Sequence, residues 1–346
     1  MDLQNNNKLP EIAFIVGMGR SGTTLLTNIL NSHNNLISTP ENEFMLFTYS
    51  SFRHKKFNSL PTIQSFITIF NYNFNKESSI WKPLPKLKQD IITLNNKNFG
   101  NVCKSVYVNY PFIKDKQNIT CIIDKNPIYS LYINKLNKVF PSAKYIVLVR
   151  DFRDNILSRK THAKSKSSIF DLANSWNFYY EKIFSDLKKN KLNYHLIRYE
   201  DLVSHPKETL TTLCQFLEID YSNTMLGFQG LSTEMMQHVK LNEGQQAYKE
   251  ITQMHANLKN QINATRVRAY EQELSTNEIT ISNYICNKLG KEFNYIAKGP
   301  TEVELAWRLH KMFSQLKIKI YYLWRSIYYS LPISIRLLFL NKKTTS

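Results

Sequence analysis

The sequence predicts an α/β fold: a three-layer sandwich with a central parallel sheet flanked by helices, followed by a C-terminal amphipathic helical tail. Three observations carry this. Short β-branched apolar runs recur through the first 200 residues and alternate with helical patterns, which implies crossover connections and hence a parallel sheet. The first strand meets its helix through a glycine-bearing turn, "IVGMGRSGTTLL" at residues 15–26, a P-loop-like arrangement. Beyond Gly299-Pro300, apolar residues fall at helical spacing among lysines and arginines.

The elements follow in order. The run Ile12 to Val16 reads as a buried strand, and Thr24 to Leu30 begins a helix. Asn35 to Thr39 (NLIST) is a second short strand that ends at Pro40-Glu41. Residues 44–100 are aromatic and basic, interrupted at Trp81-Lys82-Pro83-Leu84-Pro85, and read as helices and loops covering one edge of the site. Thr120 to Ile123 is a strand running into Asp124-Lys125-Asn126-Pro127, with a helix from Tyr129 to Val139. Ala143 to Val149 (AKYIVLV) has the β-branched character of a central strand and leads directly into Arg150-Asp151-Phe152-Arg153-Asp154. His195 to Tyr199 is a further strand, and Pro206 to Leu217 a helix that opens on proline. Residues 255–297 read as helical and polar. The expected division is a main domain over 10–298 and a basic amphipathic tail over 301–346. Ligands of parallel sheets bind beyond the carboxyl ends of the strands, so the loops at 17–24, 40–43, 124–127, 150–158 and 199–201 are the ones to watch.

Composition narrows the classes. With 346 residues, 42% of them hydrophobic and 13% aromatic, the chain can bury a substantial core. A formal net charge of +18 favours phosphorylated ligands, anionic membranes, acidic polymers or nucleic acid, although biased genomic usage of Lys, Asn and Ile would also produce it. Cys103, Cys121, Cys214 and Cys286 show no C-x-x-C pairing, so four buried thiols are expected rather than a zinc site or a disulfide framework. The N-terminal stretch has no charged n-region followed by a long apolar run, and no segment has about eighteen uninterrupted apolar residues. A cytoplasmic protein, peripheral on the inner membrane surface, is the expectation.

The loop raises the chemical question. A nucleotide hydrolase would carry G-x-x-x-x-G-K-[ST], but here Gly17 and Gly22 are followed by Thr23 and Thr24, and the cation is displaced to Arg20. A strand-to-helix turn presents unpaired backbone N–H groups and the positive end of a helix dipole, a cradle that needs no lysine. Thr23 and Thr24 add hydroxyl donors, and Arg20 can grip an oxyanion bidentately. Loss of the lysine argues against a triphosphate and suits a shorter anion bound without an obligatory metal. A second anion site is suggested where Arg150 ends a strand and Ser158 follows about two helical turns later.

These residues resemble the sulfotransferases that use 3′-phosphoadenosine 5′-phosphosulfate. The 5′-phosphosulfate loop of that family is similar to Arg20-Ser21-Gly22-Thr23-Thr24-Leu25, with Gly19 just before it. Its 3′-phosphate motif is similar to the stretch from Val149 to Ser158, in which Arg150 and Ser158 would bind the ribose phosphate. Arg198-Tyr199-Glu200-Asp201-Leu202 resembles the strand-end signature whose tyrosine approaches the nucleotide and whose acidic pair is structural. The resemblance covers roughly residues 12–295. Its late segment, from His255 to Leu274, looks like the cofactor-covering part of bacterial and protein-tyrosine members, but Asn260-Gln261 stands where the latter carry lysine and proline.

Membership implies sulfuryl transfer to a hydroxyl, with no metal, a base on the acceptor and a cation at the leaving phosphate. In the tyrosine-sulfating relatives the base is a glutamate after the second short strand, which matches Glu41, with Glu43 and His33 as alternatives. Lys125 matches the lysine that supports the leaving phosphate. His162 has no assigned role. The expected acceptor is a carbohydrate or glycolipid hydroxyl, with peptide tyrosine second, and the tail is expected either on an anionic membrane surface or docked by its apolar stripe on the main domain. Acceptor specificity is expected from loops at 44–100 and 225–250. One rival is a P-loop kinase or hydrolase, which would need the missing lysine and an acidic Mg²⁺ ligand. The other is a non-catalytic membrane- or nucleic-acid-binding protein, which leaves Arg20, Arg150 and Ser158 unexplained; nucleic acid is therefore not an expected partner.

Overall fold

The structure, a computed structural model, describes residues 9–74, 84–110, 116, 118–161, 167–227, 262–300 and 302–341. Five strands form the sheet: β1 (Glu11–Val16), β2 (Leu36–Ser38), β3 (Cys121–Lys125), β4 (Lys144–Val149) and β5 (Tyr194–Arg198). All pair in parallel, in the order β2-β3-β1-β4-β5. The chain turns from one side of β1 to the other between β3 and β4, so the first loop lies over the middle of the sheet.

Fourteen helices are present among the described residues. They are α1 (Thr23–Asn31), α2 (Phe44–Phe52), α3 (Leu60–Phe74), α4 (Leu87–Thr93), α5 (Phe99–Val108), α6 (Ile133–Val139) and α7 (Phe152–Thr161). The others are α8 (Ile169–Lys189), α9 (Tyr199–Ser204), α10 (Pro206–Leu217), α11 (Tyr270–Glu273), α12 (Thr276–Glu292), α13 (Leu305–Tyr328) and α14 (Ile333–Asn341).

The period of two along a strand divides the core. Ile12, Phe14 and Val16 join Tyr145, Val147 and Val149 on one face, against α2, α5, α8 and α12. Ala13 and Ile15 join Ile146, Leu148 and Ile197 on the other, against α1 and α10. Phe14 stacks on Tyr145 with ring centroids 5.8 Å apart, so the two central strands are locked by aromatic packing as well as by their ladder.

Several expected boundaries move. Lys125 belongs to β3 instead of following it, and Tyr199 starts α9 instead of ending β5. The helix expected from Tyr129 to Val139 is divided: Pro127–Leu131 forms a 3₁₀ turn before α6, because Asn126 accepts the Ile128 N–H with its side chain and leaves a separate tight turn. All four cysteines are free and buried, as expected.

The tail departs from one of its two expected arrangements. Helix α13 packs along α8, yet Leu305, Leu309, Met312, Phe313, Leu316 and Ile320, the stripe expected to dock if the tail folded back on the domain, are all exposed. The docked side is polar and aromatic: Ser314 donates to the Phe170 carbonyl at 3.1 Å, and Tyr322 to the Leu131 carbonyl at 3.2 Å.

Candidate active site

The loop after β1 is shaped by backbone conformation that few residues tolerate. Gly22 takes φ +94°, and a Cβ there would lie 2.5 Å from the Tyr199 ring. Arg20 also has a positive φ, 69°, uncommon for a side-chain-bearing residue. Helix α1 begins directly after Gly22, with no side-chain cap and no acidic residue in its first turn. Its leading N–H groups, including those of Thr23 and Thr24, therefore converge on the concavity as uncompensated donors.

Scaffold residues far along the chain hold this turn. Ser130 accepts the Gly17 N–H at 2.9 Å and donates to the Gly17 carbonyl at 3.1 Å. The Tyr180 hydroxyl of α8 receives the Met18 N–H at 3.3 Å and donates to the Leu148 carbonyl at 2.8 Å. Asn155 donates to the Gly19 carbonyl at 2.9 Å and to Ser21 Oγ at 3.0 Å. Ser21 is itself fully buried and bonded to Tyr180 at 3.1 Å, so its hydroxyl supports the loop from beneath rather than facing a ligand.

Two charged groups flank the loop. On one side Arg20 Nε donates to Ser158 Oγ at 3.3 Å, and Arg150 reaches the Arg20 carbonyl at 3.3 Å and the Arg266 carbonyl at 2.7 Å. The Arg150 guanidinium also lies 4.3 Å from the centroid of the Tyr199 ring, and its buried Nε has no partner among the described residues. Arg20 is pulled below its usual pKa, first by desolvation and then by the charge of Arg150, so the two cations sense each other. Asp151 is not the partner of Arg150; it is taken by Arg153, in a pair spanning two hydrogen bonds. Sequence reasoning aims Arg20 at the sulfated end of the donor. The structure instead directs its side chain to the Arg150–Ser158 side.

On the other side Lys125, buried at the end of β3, donates to Thr24 Oγ1 at 3.2 Å and forms an ion pair with Glu41. The pair couples a sheltered ammonium to a half-exposed carboxylate, 49% accessible to solvent. Asp124, the neighbour of Lys125, is fully buried and accepts the Tyr107 hydroxyl at 2.5 Å; burial raises its pKa to about 7.

The alternatives to Glu41 have other work. Glu43 accepts from the Tyr329 hydroxyl and from Arg325 at 3.4 Å, which ties it to the end of α13. His33 accepts the Asn35 N–H at Nδ1, 3.1 Å away, and its Nε2 lies 2.9 Å from the Asp220 carbonyl, so both ring nitrogens are occupied. His162, Asn260, Gln261 and most of the expected acceptor loop at 225–250 lie outside the described residues.

The late segment closes over the arginine side. Asp154 accepts the N–H groups of Arg268 at 2.8 Å and Tyr270 at 3.0 Å, and Tyr270 and Leu274 pack with Leu157. Glu200 accepts the Asp151 N–H at 3.0 Å and the Tyr295 hydroxyl at 2.7 Å, the structural part expected of that acid. Ser130, Asn155 and Tyr180 are missed by sequence reading; for Tyr180 a signal exists, since Leu172, Trp176, Tyr180, Ile183 and Leu187 keep helical spacing behind a Ser168 cap.

Fold and site together define an α/β protein with backbone amides and two guanidiniums gathered at the loop after β1, beside a lysine–carboxylate pair. The chain belongs to the sulfotransferase family, whose profile matches residues 11–223, well over half its length. It is 24% identical over 230 residues to protein-tyrosine sulfotransferase 1 of Danio rerio, an alignment covering 65% of this chain and 58% of that protein. Protein-tyrosine sulfotransferase 2 of Gallus gallus is 31% identical over 103 residues, 28% of each chain. The chain thus spans less than two thirds of the length of either relative. Among solved structures, the sulfotransferase domain from the curacin biosynthetic pathway superposes with a TM-score of 0.51 at 21% identity, covering 85% of this chain and all of that one, which supports the fold.

Proposed function

We propose that residues 10–298 form the catalytic unit and transfer a sulfuryl group from 3′-phosphoadenosine 5′-phosphosulfate to an acceptor hydroxyl. The observation that carries this is the placement of Lys125 between Thr24, at the loop, and Glu41, at the open edge. A base and a leaving-group cation are thereby held in contact with each other beside the α1 N-terminus, where a bound anion would react.

The residues present fit the donor. The uncapped N–H groups at Gly22–Thr24 suit its phosphosulfate, and the unpartnered Arg150 Nε, with Arg20 and Ser158, suits its 3′-phosphate. When bound, that donor supplies an activated sulfuryl group. Glu41 then accepts the acceptor's hydroxyl proton as the new O–S bond forms, and Lys125 with Thr24 neutralises charge on the departing phosphate oxygen as the old S–O bond breaks. Tyr199 braces Gly22 and Arg150 together. No residue in this scheme requires a metal.

A magnesium-dependent kinase or hydrolase fits less well. The acid at the end of β3, Asp124, is buried against Tyr107 and turned from the loop.

Two acceptor classes have separate support. The names of the curated relatives favour the phenolic hydroxyl of peptide tyrosine. The outward apolar stripe of the tail favours an acceptor held at a membrane, which is compatible with a glycolipid hydroxyl but does not select the sugar. Transfer of radiolabelled sulfate from the donor to peptide, sugar and glycolipid panels tests the proposal. Label in any one class supports sulfuryl transfer and selects the acceptor, whereas donor that stays intact with every panel speaks against it.

A further inference from the structure

Helix α13 is oriented opposite to an amphipathic helix covering a core. Its docked side carries Ser314, Tyr322 and Lys311, the last stacked 4.7 Å from the Tyr284 ring centroid. At about 100° per residue, Leu309, Phe313, Leu316, Ile320, Leu323 and Trp324 share the opposite side. Each is exposed, Phe313 by 60% and Trp324 by 57%. A contiguous apolar row of this kind on a folded domain marks a surface with a partner.

Charge identifies the partner. On the same wheel Arg308 and Lys319 border the stripe on one edge, and Lys317 borders it on the other, still largely open to solvent although paired with Asp171. After Glu304 the sequence has eight Lys or Arg and no Asp or Glu. Apolar centre, cationic margins and a bulky aromatic are the composition that lies in a bilayer interface, with long basic side chains reaching back to the lipid phosphates. A second copy would bring the same cations against the first, on a chain already at +18, which opposes self-association through this face. No helix among the described residues is long and apolar enough to cross a membrane.

We propose that α13 lies in the plane of an anionic bilayer surface, its Leu309–Trp324 stripe in the acyl boundary and Arg308, Lys317 and Lys319 at the headgroups. Its last turn reaches Glu43 through Arg325, two residues from Glu41, so the docked surface borders the open edge of the site. The binding inference does not depend on the sulfuryl-transfer reading, because lipid association is measured without donor or acceptor.

The test is cosedimentation of the full chain with vesicles of phosphatidylcholine, alone or mixed with phosphatidylglycerol. Binding is expected to the mixed vesicles, weakening with added salt, and to fall at least about tenfold in Leu316→Glu/Ile320→Glu, an exposed pair whose circular dichroism should match wild type. Tryptophan emission should shift to the blue on binding, with the shift reduced in Trp324→Phe. Three results would overturn the proposal. They are no binding to either vesicle, binding indifferent to the Leu316/Ile320 pair, or a concentration-dependent dimer abolished by that pair without vesicle binding, which would make a second copy the occupant.

Discussion

Arg20 Nε lies 3.3 Å from Ser158 Oγ across 138 positions of sequence. With Arg150 holding the Arg20 carbonyl, the phosphate-loop cation joins the site at the end of β4, and one anion could meet two guanidiniums and a hydroxyl there.

It follows that Arg20→Ala and Arg150→Ala should act alike. Each should weaken adenosine 3′,5′-bisphosphate by roughly ten- to a hundredfold, as expected for a lost charged hydrogen bond of about 1.5–3 kcal/mol, and leave adenosine 5′-phosphate little changed. Calorimetry on both ligands checks this. An Arg20→Ala protein that lost the two nucleotides equally would return Arg20 to the sulfated end.

Glu41→Gln should lower turnover by a factor on the order of a hundred or more while keeping bisphosphate affinity, because only proton removal is lost. Single-turnover sulfate transfer read beside calorimetry separates the two effects. Normal turnover in this variant would place the base elsewhere.

Glu43 is a positioning residue in this account, bound to Tyr329 and Arg325. Glu43→Gln and Tyr329→Phe should each cost about 1 kcal/mol of stability and keep turnover within about one order of magnitude. Urea unfolding and steady-state rates measure both. A loss in Glu43→Gln as deep as in Glu41→Gln would exchange their roles.

The buried Asp124 gives a pH signature. Its folded pKa of about 7 stands above its ordinary 3.8, so the folded state holds the extra proton between these values. This contribution to stability is present at low pH and falls by up to about 1.4 kcal/mol per unit as pH rises from about 4 to about 7. Asp124→Asn should therefore gain on wild type between pH 5 and pH 8 in denaturant midpoints. A difference that is flat with pH would contradict the assignment.

Most of the sheet was legible in the sequence because buried parallel strands are written as apolar β-branched runs, and Ala143 to Val149 falls on β4 almost residue for residue. Lys125 and Glu41 are each singled out by motif resemblance, and the structure brings the two together as an ion pair. What stayed hidden depends on direction. The left-handed backbone at Arg20 turns its side chain toward Ser158, and composition does not encode that turn. In α13 the apolar period is plain, but a stripe has the same period whether it faces a core or a bilayer. Tyr180 and Ser130 support the loop through tertiary contacts, more than a hundred positions from it.

The most direct measurement is the nucleotide preference of the wild-type protein by calorimetry. A lysine-free loop backed by Arg20, Arg150 and Ser158 should bind adenosine 3′,5′-bisphosphate one to one without Mg²⁺, and ATP with Mg²⁺ at least about a hundredfold more weakly. Equal or tighter binding of ATP with Mg²⁺, or no heat with the bisphosphate, would contradict the account at its base.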